Sequence, residues 1–395
     1  MLTDKTRQFI KEHANGSPAN LALQAGKYPE VDMHAAVLQI AGRQIIAQKV
    51  PSWYLLADEL LFPPHLSLEQ CSSESTARYK ASLLQGEEFV DLTGGFGIDC
   101  AFLSTNFKKA AYVERQEELC NIARHNFPAL GLNHVQIYNE DSVRYLNYMA
   151  KVDYIFIDPA RRDRKGGKAV AIADCEPNVA DIADLLLAKA ERVMIKLSPM
   201  LDLSLALQSI PSVDEVHVVS VANECKELLL ILTQKTNRDV QVHCVNIVGK
   251  AEFCQTFTFT KELEQQANCK YALQMGNFLY EPNSSILKAG AYKIIAGAYN
   301  LQKLHANSHL YTSDDFIPDF PGRVFRCDSC FTLNKKDLKE HLNGITKANI
   351  TVRNFPSTVE ELRKRLKLTD GGDTYLFATT IANDKKVLLK CTKNF

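Results

Sequence analysis

Between residues 86 and 235, short apolar segments alternate with segments long enough to form helices. The apolar segments predict strands at Phe89–Leu92, Ala110–Val113, Val135–Tyr138, Tyr154–Ile157, Val193–Leu197, Val216–Val221 and Glu227–Leu232. Helices are predicted between them at Ile98–Phe107, Glu117–Phe127, Ser142–Tyr148, Asn178–Ala190 and Leu203–Ser209. Helix-length connections are typical of a parallel sheet covered on both faces, so the fold class is α/β. The short connection around Asn223 predicts that the last strand is antiparallel and lies at the edge of the sheet.

The remaining sequence predicts further regions on either side of this α/β domain, because 395 residues exceed the size of a usual single core. Residues 1–85 carry apolar positions three and four apart, which predicts a helical region. After the α/β domain at 86–235, we predict α+β structure over 236–322 and 323–395. One helix is predicted from Asn283 to Leu301, and a basic one over Ser357–Leu368, with Ser357 and Glu360 forming a capping box.

Composition indicates an ordinary soluble protein with an uneven distribution of charge. The formal net charge is zero, yet residues 323–395 contain 15 Lys and Arg against 8 Asp and Glu. This local excess favours an anionic partner for the C-terminal region. The 11 scattered cysteines, with neither a signal peptide nor a membrane span in sight, predict reduced thiols and a cytoplasmic location. Cys327 and Cys330 form a single C-x-x-C pair without further ligands at zinc spacing, so no metal is expected.

A glycine-rich turn follows the first predicted strand of the α/β domain. It begins with Asp91 and continues through Thr93, Gly94, Gly95, Phe96 and Gly97. Glycines between a strand and a helix let the backbone approach a nucleotide-like ligand closely, and the carboxylate can hold a sugar or an amino-acid end of it.

Acidic residues also follow the next two strands. Glu114 comes 23 positions after Asp91, where a carboxylate in doubly wound folds accepts hydrogen bonds from both ribose hydroxyls. Asp141 and Ser142 follow the third strand. Asp141 is a candidate acceptor for an adenine amino group, and it is equally a candidate N-cap for the following helix.

Asp158 and Pro159 follow the fourth strand, where the reacting group is expected in such a sheet. A basic loop comes next, and Lys196 ends the fifth strand, so both are candidates for contact with a phosphate backbone. The same role is open to the cations of the basic helix, with a solvated surface as the alternative. The candidate substrate contacts are Arg161, Arg162, Arg164, Lys165, Lys168, Lys196, Arg363, Lys364 and Arg365.

Together, the Gly-rich turn and the three following carboxylates resemble the class I S-adenosylmethionine-dependent methyltransferases. The resemblance covers residues 86–233 and implies a seven-stranded Rossmann-like sheet. It also implies that the Asp91–Gly97 turn holds the methionine part of the cofactor, Glu114 the ribose and Asp141 the adenine. Gly94-Gly95-Phe96-Gly97 lacks the G-x-G-x-x-G spacing of nicotinamide enzymes.

The whole chain resembles a bacterial family of methyltransferases with a ferredoxin-like segment and a THUMP-like C-terminal domain. The resemblance is carried by Gln70–Lys80, Lys196–Pro199, Glu281–Ser285, Val352–Pro356 and Leu362–Leu366. THUMP domains in related proteins bind RNA, often transfer RNA, so the resemblance implies methylation of tRNA or rRNA. The alternatives are a methyltransferase for small molecules or proteins, and a non-catalytic protein that binds the cofactor or RNA.

The residues after Asp158 distinguish between acceptor chemistries. Amino-group methyltransferases carry Asp-Pro-Pro-aromatic, whereas Ala160 and Arg161 stand here at the last two positions, so only the Arg161 guanidinium could stack on a base. Uridine C5 methyltransferases need a cysteine nucleophile after the fifth strand, and Ser198 stands there instead. We therefore expect direct transfer, with Asp158, Pro159 and Arg161 as the catalytic group and Asp158 orienting or deprotonating the acceptor.

Overall fold

The structure of the protein is a computed structural model that describes residues 2–161, 172–234, 239–249 and 253–393. The chain forms two compact units. The first consists of Met1–Glu215 and Glu227–Arg238, and the second of Val216–Lys226 and Asp239–Phe395. Within the described residues, no helix is both long enough and apolar enough to cross a membrane.

The first unit begins with a helical region, as the sequence predicted. Its helices are α1 (Asp4–Glu12), α2 (Pro18–Ala22), α3 (Met33–Lys49), α4 (Pro51–Tyr54), α5 (His65–Gln70) and α6 (Glu74–Ser82). Side chains that accept a hydrogen bond from a free backbone N–H start the longer ones: Thr3 caps α1, Asp32 caps α3 and Ser73 caps α6. Phe9 and Ile40 belong to the apolar cluster that packs α1 to α3 together.

Strands and helices then alternate, which confirms the predicted α/β class. The elements are β1 (Glu88–Asp91), α7 (Ile98–Leu103), β2 (Lys109–Glu114), α8 (Glu117–Ala129), β3 (Val135–Asn139), α9 (Ser142–Tyr148), β4 (Val152–Ile157), β5 (Ala160–Arg161), β6 (Cys175–Glu176), α10 (Ala183–Lys189), β7 (Ala190–Leu197), α11 (Leu203–Ser209), β8 (Val213–Val221) and β9 (Glu224–Thr233). Seven of these strands follow one another in the order β3-β2-β1-β4-β7-β9-β8, within a sheet that has nine strands among the described residues rather than the seven expected. Strands β3, β2, β1, β4 and β7 are parallel, and β9 is antiparallel to β7.

Two details of this α/β region differ from the sequence prediction, namely the place of β9 in the sheet and the start of helix α10. The antiparallel strand β9 is not at the edge, because β8 lies on its other side. Its segment Leu228–Leu232 is fully buried, as expected for an interior strand. Helix α10 begins at Ala183 rather than near Asn178, since Asn178 and the residues after it form turns.

The second unit is α+β. Its elements are β10 (Gln241–Val248), β11 (Phe253–Thr260), α12 (Lys261–Gln266), β12 (Phe278–Pro282), α13 (Ser284–Ala289), α14 (Ile294–Ala298), β13 (Gln302–Lys303), β14 (Tyr311–Ser313), β15 (Gly322–Phe331), α15 (Lys335–His341), β16 (Asn349–Arg353), α16 (Val359–Leu366), β17 (Tyr375–Thr380) and β18 (Lys386–Thr392). Strands β10 and β11 pair in antiparallel fashion, and a seven-stranded sheet has the order β13-β14-β12-β15-β18-β17-β16. One core cluster contains Phe325 and Phe377, and another packs Leu362 of α16 onto Leu376 and Leu388.

Two helices of this unit differ from their predicted extents. The predicted helix from Asn283 to Leu301 is two helices, because Gly290 adopts the left-handed conformation (φ +80°) that ends α13. The basic helix α16 has its capping box one residue later than predicted, with Thr358 as the N-cap and Glu361 as its partner. The predicted pair, Ser357 and Glu360, does not form the box.

Candidate active site

The glycine-rich turn between β1 and α7 is held against β2. The Gly94 N–H donates to the Val113 carbonyl at 2.9 Å. A Cβ atom at Gly94 would lie 2.1 Å from the Tyr112 ring, so only glycine fits there. Gly97 has φ +92°, a conformation in which glycine carries no steric penalty. Close packing and backbone conformation therefore explain the glycines at both positions.

Asp91, at the end of β1, carries a buried carboxylate that is only half satisfied. Its side chain is 1% exposed, and Oδ1 accepts a hydrogen bond from the Thr93 N–H at 2.9 Å. Among the described residues, Oδ2 has no hydrogen-bond partner. Burial raises the pKa of this carboxyl well above its usual range, and the nearby Asp99 and Asp158 add to the effect. A buried oxygen without a partner is costly, so this atom is suited to receive a donor from a ligand.

Glu114, at the end of β2, is fixed by the backbone on both sides. Oε2 accepts from the Gly95 N–H at 2.9 Å, and Oε1 accepts from the Gln116 N–H at 2.8 Å. The residue is 8% exposed. Each carboxylate oxygen retains a further lone pair. Glu114 therefore ties the glycine-rich turn to the end of β2 and presents an anion beside it.

Asp141 caps helix α9. Its Oδ1 accepts from the N–H groups of Val143 and Arg144, both at 3.0 Å. The residue is exposed, and Ser142 is the first residue of the helix. The capping role proposed from the sequence is thus confirmed, which leaves contact with an adenine as a separate expectation.

Asp158, directly after β4, is joined to the glycine-rich turn through Thr93. The Asp158 N–H donates to Thr93 Oγ1 at 2.6 Å. Its side chain is 38% exposed, and Oδ2 accepts from Lys196 Nζ at 2.6 Å. Arg161 lies in the short strand β5, where the structure describes its backbone. The predicted loop contacts lie outside the described residues: Arg162, Arg164, Lys165 and Lys168.

Lys196, at the end of β7, is a candidate substrate contact from the sequence, and the structure shows that its side chain is mostly buried. Its side chain is 11% exposed, and besides Asp158 it contacts Asp99 Oδ2 at 3.3 Å. Burial alone would lower the pKa of this ammonium, but the Asp158 and Asp99 carboxylates outweigh it and raise the pKa well above its usual range. Lys196 is thus a protonated partner of Asp158.

A second buried lysine lies behind Lys196, and sequence reasoning missed it. Lys80 of α6 is fully buried and contacts both oxygens of Glu227, at 2.7 and 2.8 Å. It also donates to Ser72 Oγ at 3.1 Å and forms an ion pair with Asp99 Oδ1 at 3.1 Å. Lys80 follows Thr76 and Ala77 on the buried face of α6. A lysine at helical spacing from the buried positions is the sequence signal that could have revealed it.

These groups form one connected arrangement, here called the buried charge cluster: Lys80, Asp99, Asp158, Lys196 and Glu227. Burial alone would raise the pKa of Asp99, but Lys80 and Lys196 outweigh it and hold the pKa at about 2. For Glu227 burial prevails over the nearby lysines and the pKa is raised. With all groups charged, three carboxylates face two ammonium groups, so the cluster is anionic.

The cations predicted for RNA contact in α16 differ in their surroundings. Arg363 pairs with Asp370, and Arg365 donates to the Leu333 carbonyl at 3.1 Å. Lys364 is exposed. Only part of the predicted basic surface is therefore free of contacts within the protein.

The two cysteines of the C-x-x-C pair are free thiols on strand β15, which has a bulge between Cys327 and Ser329. Cys330 is exposed, and Cys327 is half-buried opposite Cys391 of β18. A hydrogen bond from Cys391 lowers the pKa of the Cys327 thiol.

Comparison with known proteins agrees with the family resemblance found in the sequence, and it does so over the whole chain. A protein of Porphyromonas gingivalis W83, assigned as a methyltransferase, has a crystal structure that matches with a TM-score of 0.88 at 37% identity, covering 100% of both chains. The chain belongs to this methyltransferase family. A ferredoxin-like domain model matches residues 278–321, and a THUMP domain-like model matches residues 322–393.

More distant relatives name the cofactor of this methyltransferase. Uncharacterized S-adenosylmethionine-dependent methyltransferases of Mycobacterium tuberculosis, from strains CDC 1551 / Oshkosh and H37Rv, are 22% identical over 319 residues. The match covers 80% of this chain and 82% of theirs. The methyltransferase is thus an S-adenosylmethionine-dependent enzyme of class I with a THUMP-like C-terminal domain. Asp91 Oδ2, which has no hydrogen-bond partner among the described residues, fits such a cofactor, because the amino group of S-adenosylmethionine can donate a hydrogen bond to it.

Proposed function

We propose that this methyltransferase modifies RNA, of the tRNA or rRNA class, by direct methyl transfer. The observation that carries the proposal is the match of residues 322–393 to the THUMP domain-like family, because THUMP domains in related proteins bind RNA. The excess of Lys and Arg over Asp and Glu from Arg323 onward supports it, since cations supply the nonspecific part of RNA affinity. RNA as substrate also implies a cytoplasmic location.

For the cofactor, we propose the following contacts. Asp91 and the turn of Thr93, Gly94, Gly95, Phe96 and Gly97 hold the methionine end, with Asp91 Oδ2 accepting from the amino group. Glu114, fixed by two backbone N–H groups, accepts from the ribose hydroxyls. Asp141 and Ser142 at the start of α9 lie beside the adenine. Bound cofactor supplies an activated methyl group on a sulfonium, so the protein has chiefly to align the acceptor.

The acceptor is proposed to bind at Asp158, with Pro159 and Arg161 shaping the same edge. Asp158 is connected to the glycine-rich turn by its hydrogen bond to Thr93, so the cofactor loop and the acceptor carboxylate are held in one geometry. Its carboxylate is 38% exposed and can therefore reach a substrate group.

A second candidate, methylation of a small molecule or a protein, is favoured by how the C-terminal arginines are used. Arg323 and Arg353 both pair with the buried Glu281, and Arg363 pairs with Asp370. These cations are paired within the second unit and are therefore less available to an RNA backbone.

The test compares nucleosides by mass spectrometry in RNA from a strain lacking the protein and from wild type. We expect one methylated nucleoside to be missing. It should reappear when the RNA is incubated with the purified protein and S-adenosylmethionine, but not with Asp158→Ala. The exposed, unrelated substitution Glu117→Ala serves as the control for activity. An unchanged nucleoside profile, with RNA that takes up no methyl group in vitro, would contradict an RNA substrate.

A further inference from the structure

The Asp158 carboxylate, which is proposed to bind the methyl acceptor, is already in contact with an ammonium group. Lys196 Nζ contacts Asp158 Oδ2 at 2.6 Å and Asp99 Oδ2 at 3.3 Å. Among the described residues these are its two hydrogen-bond acceptors, so the third N–H remains available. Asp158 is the more exposed partner, at 38% against 11%. A substrate atom that reaches Asp158 therefore also meets a protonated amine.

This charge arrangement discriminates between acceptor atoms. An amine nitrogen becomes positively charged as it takes up a methyl group, and a neighbouring ammonium disfavours that change. An isolated carboxylate would stabilise the positive charge that develops on the amine, but here the Lys196 ammonium balances the charge of Asp158. A hydroxyl oxygen instead becomes more negative as it loses its proton, so its reaction requires stabilisation of negative charge. A carboxylate that takes the proton and an ammonium that stabilises the oxygen suit this chemistry.

The local sequence agrees with this discrimination. The segment Asp158-Pro159-Ala160-Arg161 has no aromatic ring to stack on a base that would present an amine. Ser198 stands after the fifth parallel strand in place of a cysteine nucleophile, so attack by a pyrimidine carbon lacks its usual partner. A hydroxyl acceptor requires neither group.

We propose that the methyl acceptor is the ribose 2′-hydroxyl of RNA, which deepens the RNA function proposed above and rests on it. The 2′-hydroxyl is the alcohol that distinguishes RNA from DNA within the chain. Its O–H proton passes to the Asp158 carboxylate and then to water, while a lone pair of the oxygen forms the bond to the methyl carbon. The carbon–sulfur bond breaks, and its electron pair stays on sulfur, giving a neutral thioether. The third N–H of Lys196 stabilises the oxygen as its proton leaves.

The rest of the buried charge cluster holds this pair in place. Asp99 contacts both lysines, with Oδ2 on Lys196 and Oδ1 on Lys80. Lys80 is in turn fixed by both oxygens of Glu227. Asp99, Lys80 and Glu227 are therefore positioning residues, which keep the Lys196 ammonium charged and directed at Asp158. Asp158 and Lys196 are the groups that touch the substrate.

The deciding experiment uses the wild-type, full-length protein and so does not depend on any variant folding. RNA from the strain lacking the protein is incubated with methyl-labelled S-adenosylmethionine and then digested with alkali. Alkali cleaves RNA through the 2′ oxygen, so a 2′-O-methyl group blocks cleavage and leaves the label in a dinucleotide. We expect that result. Label in mononucleotides would overturn the hydroxyl assignment while leaving RNA methylation intact, and no label in RNA would contradict the proposed function itself.

A second measurement tests the role of Lys196. Lys196→Met removes the ammonium and should lower kcat by about 10²-fold or more, as loss of one stabilising donor does in other enzymes. Lys196→Arg retains the charge and should recover part of the rate. Cofactor binding, followed by the thermal shift with S-adenosylhomocysteine, should stay within a few-fold of wild type in both. Lys109→Met, at a 78% exposed site, is the matched control. A Lys196→Met protein that binds cofactor and turns over normally would overturn the assignment.

Discussion

The ammonium group of Lys80 is fully buried among carboxylates, whereas Lys364 on α16 is exposed to solvent. Removing a charge from water costs several kcal/mol, so the buried charge cluster persists only because each member is paired. Exposed cations carry no such cost, and salt screens them. Substitutions in the two regions are therefore expected to have different kinds of effect. In the buried region one substitution changes stability and geometry, while in the exposed region single substitutions change affinity by small and additive amounts.

The largest effect is expected from Lys80→Met. It leaves Asp99 and Glu227 buried without their shared partner, and breaking such pairs costs about 3–5 kcal/mol. Urea unfolding measures the loss in the free energy of unfolding. Lys108→Met is the matched control, because Lys108 is 75% exposed in its pair with Glu87 and should change stability by less than about 0.5 kcal/mol. Equal effects of the two substitutions would show that burial does not separate these regions in solution.

The next effect concerns the cofactor. Glu114→Ala removes a carboxylate held by two backbone N–H groups, and a lost hydrogen bond to a charged group is worth about 1.5–3 kcal/mol. The affinity for S-adenosylhomocysteine should therefore fall by roughly 10- to 150-fold in calorimetric titration. Glu117→Ala, in the first turn of α8, should leave the affinity unchanged. A Glu114→Ala protein that binds normally would remove this residue from the ribose site.

A pH dependence of stability is expected from Asp99. Its folded-state pKa of about 2 lies below the ordinary value, so its contribution to stability is present above about pH 4 and is lost as the pH falls toward about 2. The contribution is about 2 kcal/mol. Denaturant unfolding at several pH values measures it. The Asp99→Asn protein should lose less stability than wild type over the same range, and parallel curves for the two proteins would contradict the pairing.

The features of the fold and of the candidate site that the sequence could predict are those set by local pattern. Strand periodicity and the rule that ligands bind at the carboxyl ends of parallel strands were enough to bring Asp91, Glu114 and Asp158 to one edge of the sheet. Their positions at the ends of the strands follow from local pattern alone. The fold class and the antiparallel strand were predicted for the same reason.

The missed features depend on contacts between distant parts of the chain. Lys80 and Glu227 are 147 positions apart, so neither residue identifies the other in a single sequence. Lys196 lies 97 and 38 positions from its partners Asp99 and Asp158, so the sequence did not predict these ion pairs. The interior place of β9 depends on β8 lying beyond it, which strand alternation does not determine. Some predicted element boundaries were also displaced by small numbers of residues. For example, the capping box uses Thr358 rather than Ser357.

The smallest effect is expected at the exposed surface of α16. Strand β15 pairs with β12, so deleting residues 323–395 would remove strands from a shared sheet, and point substitutions give the cleaner test. Lys364→Ala should weaken RNA binding only a few-fold and reduce the salt dependence of log K by about one phosphate contact. Lys11→Ala, at a 55% exposed site on α1, is the matched control. If Lys364→Ala leaves both affinity and salt slope unchanged, α16 is a solvated surface, and RNA contact must come from other residues.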